Sequence, residues 1–233
     1  MRISKIEWAA TSRPPVLNSG EVHIWRLCTA DLVNAEPELR QLLSADECQR
    51  GEKYHFEKDR INFIIRRGIL RRLLGSYVGV QAVDLCFIYN NFDKPALEAD
   101  IQVGFNSSSS RDISMFAFTF DAKIGIDIEY VDAEFPKNDI AERYFSTDEV
   151  QAIRDLRPDL QTAAFFDCWT KKEAYVKAIG EGMSHPLPNL AASEATKGWN
   201  IMSFIPEENF IASLAYEGTQ RAHKYFRWLG TVS

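Results

Sequence analysis

GIDIE, residues 125–129, reads as a β-strand with two unlike faces. Side chains alternate along a strand, so Asp127 and Glu129 project together while Ile126 and Ile128 point the other way. Two carboxylates on one face suit either the solvent side of an edge strand or the start of a cation site. A second stretch, DCWTKKEAYVKAIG (167–180), has helical spacing. Glu173 and Lys177, four residues apart, share one face, and Trp169, Ala174, Tyr175 and Ile179 can reach a core. An ordinary surface Glu–Lys pair is the alternative. Asp127, Glu129 and Glu173, with no histidine or thiolate among them, form a hard oxygen set. A divalent ion that keeps several waters while gripping phosphates is most simply Mg²⁺, which implies a pyrophosphate substrate.

Outward from these stretches the pattern is α+β. An irregular arm is expected up to about Gly20, then a half-buried strand at EVHIWRL (21–27). Helical spacing runs from Ser44 to Leu74, with Ser44 and Glu47 as a capping box and Ile61, Ile64, Ile65, Ile69, Leu73 and Leu74 on the inner face. Strands are expected at 101–105, 114–120 and 123–129. A helical region from about Asn138 to Ile179 stops at GEG (180–182), and strands follow near 200–205, 209–216 and 224–229. The order suggests two similar α+β halves, 1–120 and 121–233, without a sequence repeat or a Gly/Ser-rich linker to mark them. If they pack together, their interface is where a site belongs.

The 233 residues are 45% hydrophobic and 12% aromatic, enough for one large domain or two small ones with a real core. A net charge of -6 excludes a general attraction to nucleic acid or acidic membranes, so any anion site is local. Cys28, Cys48, Cys86 and Cys168 lack the spacing of a zinc site and read as buried thiols. No stretch reaches the roughly 20 apolar residues that span a bilayer, and MRISKIEWAATSRPPVL has no long apolar signal region. A cytoplasmic protein is expected. There is no G-x-x-x-x-G-K-[ST] loop, so a generic nucleotide hydrolase lacks support.

GIDIE followed some forty residues later by WTKKEAYVKAIG resembles the two-part signature of 4′-phosphopantetheinyl transferases, in their large single-chain class. FDKP (92–95), FNSSSS (105–110) and YFSTDE (144–149) are similar to further family motifs, so the likeness covers about Ser44 to Gly182. It implies two pseudo-twofold-related α/β halves with coenzyme A in the cleft between them. It also implies transfer of the 4′-phosphopantetheine arm to a serine of an apo acyl or peptidyl carrier protein, by a monomer. Carried over by position, Asp127, Glu129 and Glu173 become Mg²⁺ ligands, Glu173 the general base, and Lys177 a phosphate contact. Glu149 matches a motif glutamate, although it also stands three residues after Ser146, where a capping box fits equally.

Anion contacts are expected from the segment Arg50 to Arg72, where eight basic residues face three acidic ones, a net of +5. Such a run is usually a solvated helix face. The resemblance puts the coenzyme A 3′-phosphate near it, with Arg50 and Lys94 at matching positions and Ser108 and Ser109 beside the phosphates, although Lys94 fits a plain turn position equally. Two positions depart from the family: Ser109 stands where it has a phosphate-contacting histidine, and Asn62 where relatives commonly carry an arginine. A serine donates one hydrogen bond but brings no positive charge. Weaker coenzyme A binding follows, with Arg60 or Arg66 as candidate substitutes. The alternative is a noncatalytic descendant that binds a carrier protein or coenzyme A.

Overall fold

The computed structural model describes residues 6–98, 102–181 and 196–229. The expected strand start at residue 101 and the last glycine of GEG lie outside the described residues. Ten strands are described: β1 (Ala9–Thr11), β2 (Glu21–Cys28), β3 (Phe87–Tyr89), β4 (Pro95–Leu97), β5 (Val103–Ser110), β6 (Ile113–Phe120), β7 (Ile124–Tyr130), β8 (Trp199–Phe204), β9 (Phe210–Glu217) and β10 (Ala222–Trp228). Six α-helices accompany them: α1 (Glu36–Arg40), α2 (Ala45–Glu52), α3 (Glu57–Val78), α4 (Lys137–Tyr144), α5 (Thr147–Arg154) and α6 (Pro158–Ile179). The fold is α+β.

A five-stranded sheet runs β1-β10-β2-β6-β5, a three-stranded sheet runs β7-β9-β8, and β3 and β4 form a separate hairpin. Strand alternation divides the core. Trp25, Leu27, Phe116 and Phe118 face a cluster built with Ile65, Ile69 and Leu73 of α3. Ile24, Met115 and Ala117 face the opposite way, onto Ile126, Ile128, Ala212 and Leu214 of the smaller sheet. On the far side of that sheet α6 packs Ala174, Tyr175 and Ala178 against Ala215. The layers are therefore helix, sheet, sheet, helix. β6 is apolar almost throughout because both its faces are covered.

The chain returns at its end: β10 lies parallel to both β1 and β2, so residues 222–228 complete the sheet begun by residues 9–28. The arm before Gly20 contributes the short β1 rather than being wholly irregular.

The two long helical segments are each divided. Ser44–Leu74 breaks between Glu52 and Glu57, which lets α2 fold back on α3 so that Glu47 reaches both Arg67 and Arg71. Gly51 permits the approach, since a Cβ there would lie 3.3 Å from the Phe63 ring. Asn138–Ile179 breaks at Phe145 and again before Pro158, a residue suited to the first turn of a new helix. Cysteine burial also differs from expectation. Cys28, Cys48 and Cys168 are half-buried and Cys86 is exposed, because it precedes the β3–β4 hairpin at the edge of the fold. No described helix is long and apolar enough to cross a membrane.

Candidate active site at the seam of two sheets

β5 and β7 are edge strands of different sheets, and polar side chains join them. Along β5, Asn106, Ser108 and Ser110 point to the same side. Asn106 Oδ1 accepts the Ile126 amide at 3.0 Å, and Ser110 Oγ accepts the Tyr130 amide at 3.0 Å. Ser108 Oγ donates to Asp127 Oδ1 at 2.8 Å and Ser110 Oγ to Glu129 Oε2 at 2.9 Å. The serine run thus supplies the hydrogen bonds that an edge-to-edge backbone pairing would otherwise provide.

Helix α6 lies across the same face of β7. Gly125 makes this possible, because a Cβ there would stand 2.0 Å from the Ala174 carbonyl oxygen and 2.5 Å from the Ala178 amide nitrogen. The close approach brings Lys177 Nζ to 2.6 Å from Asp127 Oδ1 and 2.9 Å from Ser108 Oγ. The Asp127 face is therefore covered by α6 and not open to solvent; Asp127 itself is 3% exposed.

The carboxylates are mutually strained. Burial, then the Asp127 charge, pushes Glu173 up to about 7, with Lys177 opposing. Glu129 is raised for the same two reasons, against the Ser110 hydrogen bond. Asp127 Oδ2 and Glu173 Oε1 are buried without a hydrogen-bond partner. A hard cation fits this all-oxygen set, since it would take up the orphaned oxygens and relieve the repulsion. Among the described residues, no three histidine, cysteine, aspartate or glutamate side chains converge closely enough to hold an ion as they lie.

Two cavities flank the seam. One, of about 370 Å³, is walled by Glu173, Val176 and Lys177 with Phe92, Phe105 and Asn106. The other, of about 490 Å³, is walled by Arg50, Arg66, Ser108 and Ser109. Asp93, Pro95 and Ser107 border both. Of the basic run, Arg60 pairs with Glu36 and Glu57, Arg67 and Arg71 with Glu47, Arg72 with Glu38, and Lys58 with Asp112. Arg50 and Arg66 line the larger cavity without a carboxylate partner among the described residues.

Lys94 stands in the turn before β4 and lines the smaller cavity. Its ammonium donates to the Lys177 and Ala178 carbonyls at 2.6 and 2.7 Å and to the Ile124 carbonyl at 3.3 Å, capping the end of α6. Burial lowers it to about 8. All three donors of its ammonium are directed to backbone carbonyls as the side chain lies. Glu149 fills both a capping box with Ser146 and an ion pair at 2.9 Å with Lys172, which is fully buried. Asn106 and Ser110 were missed by sequence reasoning. The period of two from Ser108 along β5 is the signal that would have found them.

The sequence profile of the 4′-phosphopantetheinyl transferase superfamily matches residues 123–226. The 4′-phosphopantetheinyl transferase HetI of Nostoc sp. is 31% identical over 230 residues, covering 93% of this chain and 97% of that protein. This chain belongs to the 4′-phosphopantetheinyl transferase superfamily. It is also similar to the 4′-phosphopantetheinyl transferase psf-1 of Bacillus pumilus, 30% identical with 71% of each chain covered. A further relative is the 4′-phosphopantetheinyl transferase of Bacillus subtilis, 29% identical over 67% of this chain and 68% of that one. The profile match contains Asp127, Glu129, Glu173 and Lys177, so the carboxylates joined by α6 and β7 lie within the segment that defines this transferase family.

Proposed function

We propose that this transferase moves the 4′-phosphopantetheine arm of coenzyme A onto a serine of an apo acyl or peptidyl carrier protein, with Mg²⁺, and releases adenosine 3′,5′-bisphosphate. The observation that carries the reading is the cluster of Asp127, Glu173, Lys177 and Ser108 beside two contiguous cavities. An elongated substrate with a nucleotide at one end and a thiol arm at the other suits such a pair.

Residues 1–120 and 121–233 are read as the two halves of the fold, with the substrate cleft along the seam between β5 and β7. Their likeness is supported by α3 and α6, each of 22 residues and each ended by a left-handed glycine, Gly79 and Gly180.

Asp127, Glu129 and Glu173 would hold Mg²⁺, which when bound supplies positive charge to the pyrophosphate. In transfer, the carrier serine Oγ attacks the phosphorus nearer the pantetheine, forming a new P–O bond as the bond to the adenosine bisphosphate half breaks. Glu173, at the seam beside Asp127, is the base that takes the hydroxyl proton of the incoming serine. Lys177 fixes Asp127 and Ser108 with two of its three N–H donors, leaving one for a phosphate oxygen. Arg50 faces the nucleotide end. Lys94 acts indirectly, by anchoring the α6 turn that bears Lys177.

Incubation with coenzyme A, Mg²⁺ and several apo carrier proteins, followed by intact mass spectrometry of the carriers, tests the whole reading. Addition of one phosphopantetheine is expected on at least one carrier. Binding of coenzyme A or a carrier with no mass gain on any of them would favour a noncatalytic binder.

A further inference from the structure

Of the two positions read as departures from the family, Ser109 meets Arg66 through its side chain, whereas Asn62 meets it only through the backbone carbonyl that any residue there would offer. Arg66 Nε donates to the Asn62 carbonyl at 2.9 Å, and its Nη1 donates to Ser109 Oγ. The guanidinium is half-buried in the wall of the larger cavity, beside Arg50. Burial of a cation is unfavourable, and desolvation here lowers its pKa, with Tyr54 and Asp59 opposing from a distance and no carboxylate in ion-pair contact among the described residues. Asp46, Glu47 and Asp93 also border this cavity. Glu47 is held by Arg67 and Arg71, and Asp46 accepts the Ser44 hydroxyl at 2.6 Å, so neither is turned to Arg66.

We infer that Arg66, aimed by Ser109, is the cation that receives a phosphate of the nucleotide end of coenzyme A in this chain, in place of a histidine at position 109. The inference rests on the transferase reading above. A guanidinium presents a planar set of donors that matches phosphate oxygens and stays charged at every working pH, which an imidazole does not. Ser109 lacks charge but spends its oxygen as an acceptor for one Arg66 N–H, leaving the opposite Nη free for the ligand. Arg60, the other candidate substitute, is spent on Glu36 and Glu57 and does not line the cavity.

The test is calorimetric titration of metal-free protein with coenzyme A, dephospho-coenzyme A and adenosine 3′,5′-bisphosphate at one ionic strength. Arg66→Gln should weaken coenzyme A binding by about tenfold or more. Arg66→Lys should recover part of the loss, and Arg60→Gln should change nothing. Loss confined to ligands that carry the 3′-phosphate assigns that group to Arg66, whereas equal loss with dephospho-coenzyme A assigns the pyrophosphate. Ser109→Ala should weaken binding by a smaller factor in wild-type protein and by none in Arg66→Gln, because the serine acts through the arginine. Unchanged affinity in a folded Arg66→Gln protein, or additive losses in the double variant, would overturn the inference. Wild-type carrier modification measured alongside separates that failure from failure of the transferase reading, which would show as no mass gain in the wild type itself.

Discussion

Gly125 and Ala174 are in backbone contact: a Cβ at Gly125 would come within 2.0 Å of the Ala174 carbonyl oxygen. This contact brings α6 close enough to β7 for Lys177 to reach Asp127. Gly125→Ala should therefore push strand and helix apart, at about 1–3 kcal/mol or more in stability. Thermal melting and carrier modification check it together. A variant with the wild-type melting temperature and normal transfer would show that the helix can shift without harm.

Glu173 supplies a pH signature. Its pKa in the folded chain is about 7 against an ordinary 4.5, so between those values the folded state binds more protons than the unfolded state. Stability of the metal-free protein should then fall as pH rises through that window, by on the order of 2 kcal/mol. Glu173→Gln should flatten the curve and remove at least about 10²-fold of transfer activity. Denaturant midpoints in EDTA at pH 5.5 and pH 8 for wild type and Glu173→Gln measure the first part as a difference, because His23 and His223, both lowered by burial, act in the opposite sense in both proteins; the same pH dependence in the two would contradict it.

Mg²⁺ should restore what the higher pH removes. At pH 8 its addition should raise the melting temperature of wild-type protein and not of Asp127→Asn, which keeps the shape but lacks the charge. An equal rise in both would remove Asp127 from the metal site.

Lys94→Met keeps the length of the side chain but removes three donors from the carbonyls of Ile124, Lys177 and Ala178. A stability loss of about 2 kcal/mol is expected, because charged hydrogen bonds are replaced by unsatisfied carbonyls. The calorimetric affinity for adenosine 3′,5′-bisphosphate should stay near the wild-type value. A large loss of that affinity with no change in melting would return Lys94 to the nucleotide.

Ser146→Ala removes only a helix cap, at about 1 kcal/mol. Glu149→Ala also removes a carboxylate 2.9 Å from a fully buried ammonium, Lys172, and should cost more than the cap alone. Chemical denaturation of the two variants compares them directly. Equal losses would mean that the cap is the whole role of Glu149.

The sequence by itself determined a strand at 123–129, found at Ile124–Tyr130, and the helix that ends at Gly180, because strand alternation and the glycine stop are local properties. The resemblance carried by the paired motif is what associated Asp127, Glu173 and Lys177, and folding brings Lys177 to Asp127. Local spacing could not show that α6 covers the Asp127 face, since that depends on a Gly125 contact with residues about fifty positions away. Nor could it sort the basic run. The eight cations read alike until folding pairs Arg60, Arg67, Arg71 and Arg72 with carboxylates and leaves Arg50 and Arg66 on the cavity wall without one among the described residues. The destination of Lys94 and the return of β10 to the first sheet are of the same kind. Each is set by long-range packing, where burial and hydrogen-bond satisfaction choose among partners that are equally compatible with the local sequence.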